Sequence, residues 1–274
     1  MIDVSVSTCH VGDCRELLAQ LPEGCVQTCV TSPPYWGLRD YGVDGQLGLE
    51  RSPHEYVANM VEVFRGVRRA LRDDGTLWIN IGDSYRSKSL VGIPWMVAFA
   101  LREDGWLLRS DIIWHKPNPM PDGVSDRPTA SHEYLFLLAK SDRYYYDANA
   151  ISEPAGGGWN LRSKKGNSDR NDSNEHNARR GQELERTTRN KRDVWTIASQ
   201  PFGGAHFATM PPDLAKPCVM AGSHTGDLVL DPFFGSGTTG MVAETMGRRW
   251  IGFDINPEYA ELAKGRTAQR GLPL

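Results

Sequence analysis

Leu228-Val229-Leu230-Asp231-Pro232-Phe233-Phe234-Gly235-Ser236-Gly237-Thr238-Thr239-Gly240 joins an apolar run, an acidic residue, a tight glycine turn and a helix start. Gly235 and Gly237 carry no side chain where a ligand must approach the backbone. Ser236, Thr238 and Thr239 bring hydroxyls that can cap the helix and donate hydrogen bonds. Fourteen residues past Gly240, Asp254 closes the run Trp250-Ile251-Gly252-Phe253-Asp254, where a carboxylate can accept both hydroxyls of a ribose. Together they read as a nucleoside site at the carboxyl edge of a sheet. A structural turn with a satisfied acid is the plainer reading of a lone glycine turn. Here spacing, strand context and terminal acid agree. The order Gly-Ser-Gly-Thr-Thr is not the dinucleotide pattern G-x-G-x-x-G, and no Gly-Lys-Ser/Thr follows to make a phosphate loop. Asp231, Pro232 and Phe233 suit a ligand with a cationic, apolar end, because Asp supplies charge and Phe a π-face. S-adenosylmethionine has that character.

Outward from this turn, residues 4–150 keep the same alternation. Val26–Thr31, Thr76–Ile81, Asp111–Trp114 and Tyr134–Ala139 read as strands. Pro53–Leu71 puts Tyr56, Met60, Val63, Phe64, Val67 and Leu71 on one stripe, and Asp73-Asp74-Gly75 is expected to stop that helix. Nearer the C-terminus, Asp227–Asp231 and Trp250–Asp254 read as strands, Ser236–Met246 and Pro257 onward as helices. This is the β-α-β rhythm of an α/β fold, a parallel sheet covered on both faces. Residues 161–192 break it, with three apolar residues in 32. The chain divides into 1–150 and 196–274, two halves of one domain, flanking a polar insert at 151–195. No internal repeat is visible.

The 274 residues are 39% hydrophobic and include eight Trp, nine Tyr and eight Phe, which excludes wholesale disorder. A net charge of −3 argues, taken alone, against a general polyanion binder. Residues 161–192, however, hold ten basic side chains against five acidic, a local +5 that leaves −8 on the other 242 residues. The average conceals a basic element on an acidic body. The start of the chain has no basic stretch followed by an apolar run, and the longest apolar stretch, Ile93–Leu101, is about half of a ~20-residue span. A cytoplasmic protein without membrane contact is expected. Five cysteines without a C-x-x-C pair suggest small buried hydrophobes in a reducing compartment, not disulfides or a metal clamp.

Val30-Thr31-Ser32-Pro33-Pro34-Tyr35-Trp36 leaves a strand for a rigid loop. Two successive prolines fix φ and donate no hydrogen bond, so nearby carbonyls are held as acceptors. An exocyclic amine suits such a corner. Its lone pair is delocalised into the base, and acceptors at Ser32 Oγ and the Pro33 carbonyl favour the pyramidal nitrogen that forms as it attacks a methyl group. Tyr35 can stack on a base drawn out of its helix. The alternative is a strand-to-loop corner with buried aromatics.

At these residues the chain resembles the permuted, β-class amino-methyltransferases of DNA, in which the catalytic tetrapeptide precedes the cofactor turn and a target-recognition segment lies between. The resemblance implies a Rossmann-like methyltransferase fold with S-adenosylmethionine as cofactor. Ser32, Pro33, Pro34 and Tyr35 would be catalytic. Thr31, Asp231, Pro232, Phe233, Gly235, Ser236, Gly237, Thr238, Thr239 and Asp254 would bind cofactor. Asp13, in Val11-Gly12-Asp13-Cys14, would accept from the cofactor's adenine amino group, and His206, Phe207 and Thr209 lie in a segment similar to the family's cofactor-helix motif. Trp114-His115-Lys116-Pro117-Asn118 and His132-Glu133-Tyr134-Leu135-Phe136 resemble segments lining the target pocket. The basic insert occupies the recognition position. Arg39, Lys116, Arg162, Lys164, Lys165, Arg179, Arg180, Arg189, Lys191 and Arg192 are the expected contacts to double-stranded DNA.

Ser32 after Val30-Thr31 is the form often associated with cytosine N4. The longer block Thr31–Gly42 is similar to stand-alone enzymes of phage type that include adenine targets, so adenine N6 is expected with cytosine N4 as the alternative. RNA or protein N-methylation, or a non-catalytic DNA-binding module, are further alternatives. A homodimer is expected by resemblance, with no metal and no implied restriction endonuclease. Pro217-Cys218 offers the dipeptide of a C5-cytosine enzyme, but on the helix before the cofactor strand, and reads as packing.

Overall fold

A computed structural model describes residues 1–155, 187–200 and 210–268. The first part runs β1 (Thr8–Val11), α1 (Cys14–Ala19), β2 (Val26–Thr31), α2 (Pro53–Ala70) and β3 (Leu71–Ile81). Then come β4 (Tyr85–Arg86), β5 (Ser89–Leu90), α3 (Ile93–Glu103), β6 (Leu107–His115) and β7 (His132–Ala139). They are followed by β8 (Glu153–Pro154), β9 (Thr188–Arg189), β10 (Val194–Thr196) and α4 (Pro212–Gly222). β11 (Leu228–Asp231), α5 (Thr238–Thr245), β12 (Arg249–Asp254) and α6 (Pro257–Ala268) complete the described chain.

Eight strands form one sheet in the order β1-β12-β11-β2-β3-β7-β6-β10, with two small hairpin pairs, β4-β5 and β8-β9, outside it. The α/β class is as expected. One face carries the apolar stripe of α2 (Tyr56, Met60, Val63, Phe64, Val67) with α1 and α3. The other carries α4, α5 and α6. With helices on both faces, β2 is buried along its whole length.

The sheet is mostly parallel; β7 is the exception, running antiparallel to both β3 and β6. The segment from Lys116 to Ser131 contains no helix, so the chain returns beside β6 without the crossover that a parallel strand needs. Asp73-Asp74-Gly75 does not end α2. The helix stops at Ala70, Leu71 turns extended (φ −69°, ψ 142°), and β3 already pairs there with β2 across a register shift. β10, at the boundary drawn after residue 195, is a strand of the main sheet, with Trp195 opposite Trp114 on β6.

Strand order reverses between β2 and β11: the chain proceeds from β2 outward to β3, and from β11 the opposite way to β12. Such a switch point opens a crevice at the carboxyl ends of the strands. Beside it, Phe234 stacks on Trp250 with centroids 4.9 Å apart, and a Cβ on Gly252 would lie 2.3 Å from the Phe234 ring. Gly252→Ala is therefore expected to cost about 1–3 kcal/mol through overpacking. A thermal melt should show a midpoint lower by several degrees; an unchanged midpoint would mean that Phe234 has room to move.

Candidate active site

The crevice is built where β2 and β11 end side by side. Thr31, last on β2, donates from Oγ1 to Asp231 Oδ1 at 2.5 Å, and Asp231 is last on β11. Phe233 N–H donates to the same carboxylate oxygen at 3.0 Å. Thr239 Oγ1 donates to the Val30 carbonyl at 3.1 Å, a second tie between the glycine turn and the proline corner. Asp231 is 4% exposed, and burial pushes its carboxyl up to about 6 against the hydrogen bonds from Thr31 and Phe233 N–H, which favour the ion. Asp254 lies close enough to add to the rise.

Asp254 ends β12. Its Oδ2 accepts from Gly235 N–H at 2.7 Å and its Oδ1 from Asn256 N–H at 2.8 Å. Each oxygen keeps lone-pair capacity for a hydroxyl from the crevice. Gly235 and Gly237 hold φ of +50° and +80°, the left-handed region that favours glycine. The reason Gly237 has no side chain is packing: a Cβ there would meet Ala263 at 2.9 Å, not a ligand. The hydroxyls also differ from expectation. Gly237 is the N-cap of α5 with no side-chain bond, while Ser236 Oγ and Thr238 Oγ1 face Arg266 at 2.5 and 3.4 Å.

Asp13 lines the same cavity as Asp231, Phe233, Gly235 and Asp254. Its carboxylate caps α1 by accepting from Arg15 N–H at 2.8 Å and also takes the Arg15 guanidinium at 2.5 Å, which holds it below the usual carboxylate range. It is anchored as a cap first, and whatever it accepts from a ligand is additional. Leu47, Met210, Phe253, Ile255 and Tyr259 supply the apolar wall. Of these, Leu47 belongs to a segment to which the sequence reading assigned no element, while Tyr259 lies in the helix expected from Pro257 onward.

The proline corner opens onto this cavity through Ser32 and Pro34. Tyr56, from the buried stripe of α2, donates to the Pro34 carbonyl at 2.8 Å, and Trp36 Nε1 donates to the Glu50 carbonyl at 2.9 Å. The Pro34 carbonyl is thus occupied. Tyr35 is half-buried, with its hydroxyl donating to Glu133 Oε2 at 2.7 Å. Burial first, and the Glu133 charge next, hold that phenol well above its ordinary value.

Several expected DNA contacts are engaged within the protein. Lys116 pairs with Glu133, while Arg189 and Arg192 both reach Glu153 Oε1, at 2.8 and 2.6 Å. Lys191 Nζ sits 5.0 Å over the Trp195 ring. Arg39 lines the same cavity as Asp231 and Asp254, beside Tyr41 and Gln46. Arg162, Lys164, Lys165, Arg179, Arg180, His206, Phe207 and Thr209 lie outside the described residues. Cys218 is fully buried in α4, its thiol pushed far up by burial, which suits packing and not a nucleophile.

A DNA methylase family, the N6 and N4 methyltransferases, matches residues 26–265 of the sequence. The chain belongs to this family. It is similar to the type II methyltransferase M.Cfr9I of Citrobacter freundii, 44% identical over 97% of this chain and 89% of that one. It is 45% identical to the type II methyltransferase M.SmaI of Serratia marcescens, over 95% of this chain and 90% of the relative. Among solved structures, the PvuII DNA methyltransferase (cytosine-N4-specific) shares the fold at a TM-score of 0.73, with 22% identity over 98% of this chain and 90% of its own. A putative DNA modification methylase from Thermus thermophilus, complexed with S-adenosyl-L-methionine, superposes at a TM-score of 0.66 with 29% identity over 96% of this chain and 94% of its own. The protein is thus a DNA amino-methyltransferase with S-adenosylmethionine as cofactor.

The crevice fits that cofactor by the chemistry of its donors and acceptors. Asp254 would offer two oxygens to a ribose diol, Asp231 and Phe233 would offer a charge and a ring to a sulfonium, and the apolar wall would offer a place for adenine. A cation prefers ionised Asp231, whose population grows as pH rises through about 6. Affinity for S-adenosylmethionine is therefore expected to strengthen from pH 5 to 7 and then level off. In the free protein the same raised carboxyl costs stability over the interval from 3.8 to about 6, because the folded state binds the proton more tightly than the unfolded state does. Calorimetric titration at several pH values checks the first point; an affinity flat across this range would dissociate Asp231 from the sulfonium.

Proposed function

We propose that the chain methylates, at specific sites, the exocyclic amino group of a base flipped out of double-stranded DNA. The carrying observation is the Thr31–Asp231 hydrogen bond, which couples the proline corner to the cofactor turn across 200 residues of sequence. When bound, the cofactor supplies an electrophilic methyl group. Asp254 holds its ribose and Asp231 with Phe233 its cationic end, while Thr31 and Thr239 keep the two loops in register. Ser32 Oγ and the Pro33 carbonyl accept the amine's two N–H groups, and Tyr35 stacks on the base. No covalent enzyme intermediate is needed. His206, Phe207 and Thr209 add to the cofactor side by family resemblance, and the basic segment 161–192 supplies DNA contacts. The reading includes a cytoplasmic homodimer that acts without a metal ion and without an obligatory endonuclease.

For the base we place cytosine N4 first and adenine N6 second, the reverse of the order expected from the sequence. Ser32 after Val30-Thr31 has the form often associated with cytosine, and one fold neighbour carries a name that states cytosine-N4 specificity. The longer corner loop supports adenine. Incubation with labelled cofactor and mixed-sequence DNA, followed by digestion to nucleosides, decides it. Label in N4-methylcytosine is expected, and label in N6-methyladenine would reverse the order. Label confined to 5-methylcytosine, RNA or protein would overturn the reading.

A further inference from the structure

Beyond the proline corner lies a network of charged and amide side chains that the reaction as described does not use. Glu133 Oε2 accepts from Tyr35 Oη at 2.7 Å and from Asn80 Nδ2 at 3.1 Å, while Lys116 pairs with Oε1. Asn80 is itself anchored, its Nδ2 also donating to the Tyr134 carbonyl at 3.2 Å. Lys116 Nζ lies 4.3 Å over the Trp114 ring, and the Lys116 and Glu133 side chains are only 18% and 16% exposed. The tyrosine ring is confined as well, because a Cβ on Gly82 would come within 2.7 Å of its Cε2. Strands β3 and β7 therefore bring Asn80 and Glu133 to one phenol oxygen, and Lys116, just past the end of β6, holds the other oxygen of Glu133. A tyrosine that served packing alone would not require a sheltered ion pair at its hydroxyl, since sheltering two charges carries a desolvation cost.

We propose that Glu133 is a positioning residue for methyl transfer: held by Lys116 and Asn80, it fixes the Tyr35 ring in the orientation in which its face meets the flipped base beside Ser32. The proposal rests on Tyr35 being the base platform. It makes Lys116 part of this clamp and not a phosphate contact. The lever is geometric, since a misplacement of about 1 Å at a reacting centre costs on the order of 100-fold in rate.

The test compares Tyr35→Phe, Tyr35→Ala, Glu133→Ala, Glu133→Gln and the double variant Tyr35→Phe/Glu133→Ala. Each is measured for single-turnover methyl transfer and cofactor affinity, and separately for the emission of a fluorescent analogue at the target position, pyrrolocytosine for a cytosine target or 2-aminopurine for an adenine target. Tyr35→Phe and Glu133→Ala are each expected to slow transfer by about 10- to 100-fold at unchanged cofactor affinity. Glu133→Gln, which keeps an acceptor for the phenol, should recover most of that loss. The double variant should be no slower than the slower single one, because both remove the same bond. Emission from the flipped base should rise in Glu133→Ala as stacking loosens. Multiplying defects in the double variant, or Glu133→Ala at wild-type rate, would overturn the clamp. Tyr35→Ala at wild-type rate would instead remove the platform reading beneath it, so the two failures are distinguishable. Should Glu133→Ala not fold, as loss of cofactor binding would report, Tyr35→Phe at wild-type rate overturns the proposal by itself.

Discussion

Replacing Ser32 by Ala is expected to slow methyl transfer by about 100- to 1000-fold, the loss that follows removal of one pre-aimed hydrogen-bonding group at a reacting centre. The target amine is a poor nucleophile while its lone pair is shared with the ring. An acceptor aimed at one N–H stabilises the pyramidal nitrogen more than the planar one, so the interaction acts on the rate and not on ground-state binding. Ser32 stands at the mouth of the cavity that Asp231 and Asp254 share, directly after Thr31, whose hydroxyl is tied to Asp231 at 2.5 Å. Its backbone is set by that tie on one side and by the Tyr56 bond to the Pro34 carbonyl at 2.8 Å on the other. The substitution should therefore leave the corner in place. Cofactor affinity is expected to be unchanged, with the whole effect in the single-turnover rate. Ser32→Asp keeps an acceptor and should fall between wild type and Ser32→Ala. A Ser32→Ala enzyme that transfers at wild-type rate would leave the Pro33 carbonyl to act alone and remove Ser32 from the mechanism.

Where an element depends on residues close in sequence, the structure follows the reading from sequence. The glycine turn, the proline corner and Asp254 each belong to one strand and the loop that follows it, and strand ends are legible from apolar runs bounded by turn residues. That these strands lie side by side follows from topology, and the local pattern carries no sign of it. The same limit explains the antiparallel β7: period-2 alternation marks Tyr134–Ala139 as a strand but carries no direction. Charge was the least legible feature. Arg189, Arg192 and Lys116 look like free cations in the sequence, and each has a carboxylate partner that is 17 or more residues away. Asp13 was singled out by motif, while the contacts it makes in the structure, capping α1 and holding Arg15, are with its immediate neighbours. Glu133 carried no signal as an individual residue, because its significance is the phenol it meets 98 residues away.

Asp254→Ala is expected to weaken cofactor binding by about 100-fold or more, since two hydrogen bonds to a charged acceptor are worth roughly 1.5–3 kcal/mol each. The loss has two sources of different kind. One is direct: Asp254 lines the cavity, and each of its oxygens keeps lone-pair capacity for a ribose hydroxyl. The other is structural, because Oδ2 holds Gly235 N–H at 2.7 Å and Oδ1 holds Asn256 N–H at 2.8 Å, and both backbone donors lose their partner. Gly235, at φ +50°, opens the turn whose other end is tied to Val30 through Thr239, so a slackened Gly235 should also reach the proline corner. Asp254→Asn separates the two sources. The amide oxygen can still accept from Gly235 or Asn256, but its NH₂ group cannot accept from a hydroxyl. The Asn variant is thus expected to keep more thermal stability than Ala while losing most of the affinity. Burial holds the Asp254 carboxyl above its ordinary range, so its ionised form already bears a desolvation cost that the diol helps to offset. Titration with S-adenosylmethionine, and separately with an analogue lacking the 2′-hydroxyl, completes the test. If Asp254 binds the diol, the analogue should bind wild type weakly and Asp254→Ala no worse than S-adenosylmethionine does. Equal penalties from the missing hydroxyl in both proteins would place the ribose elsewhere in the crevice.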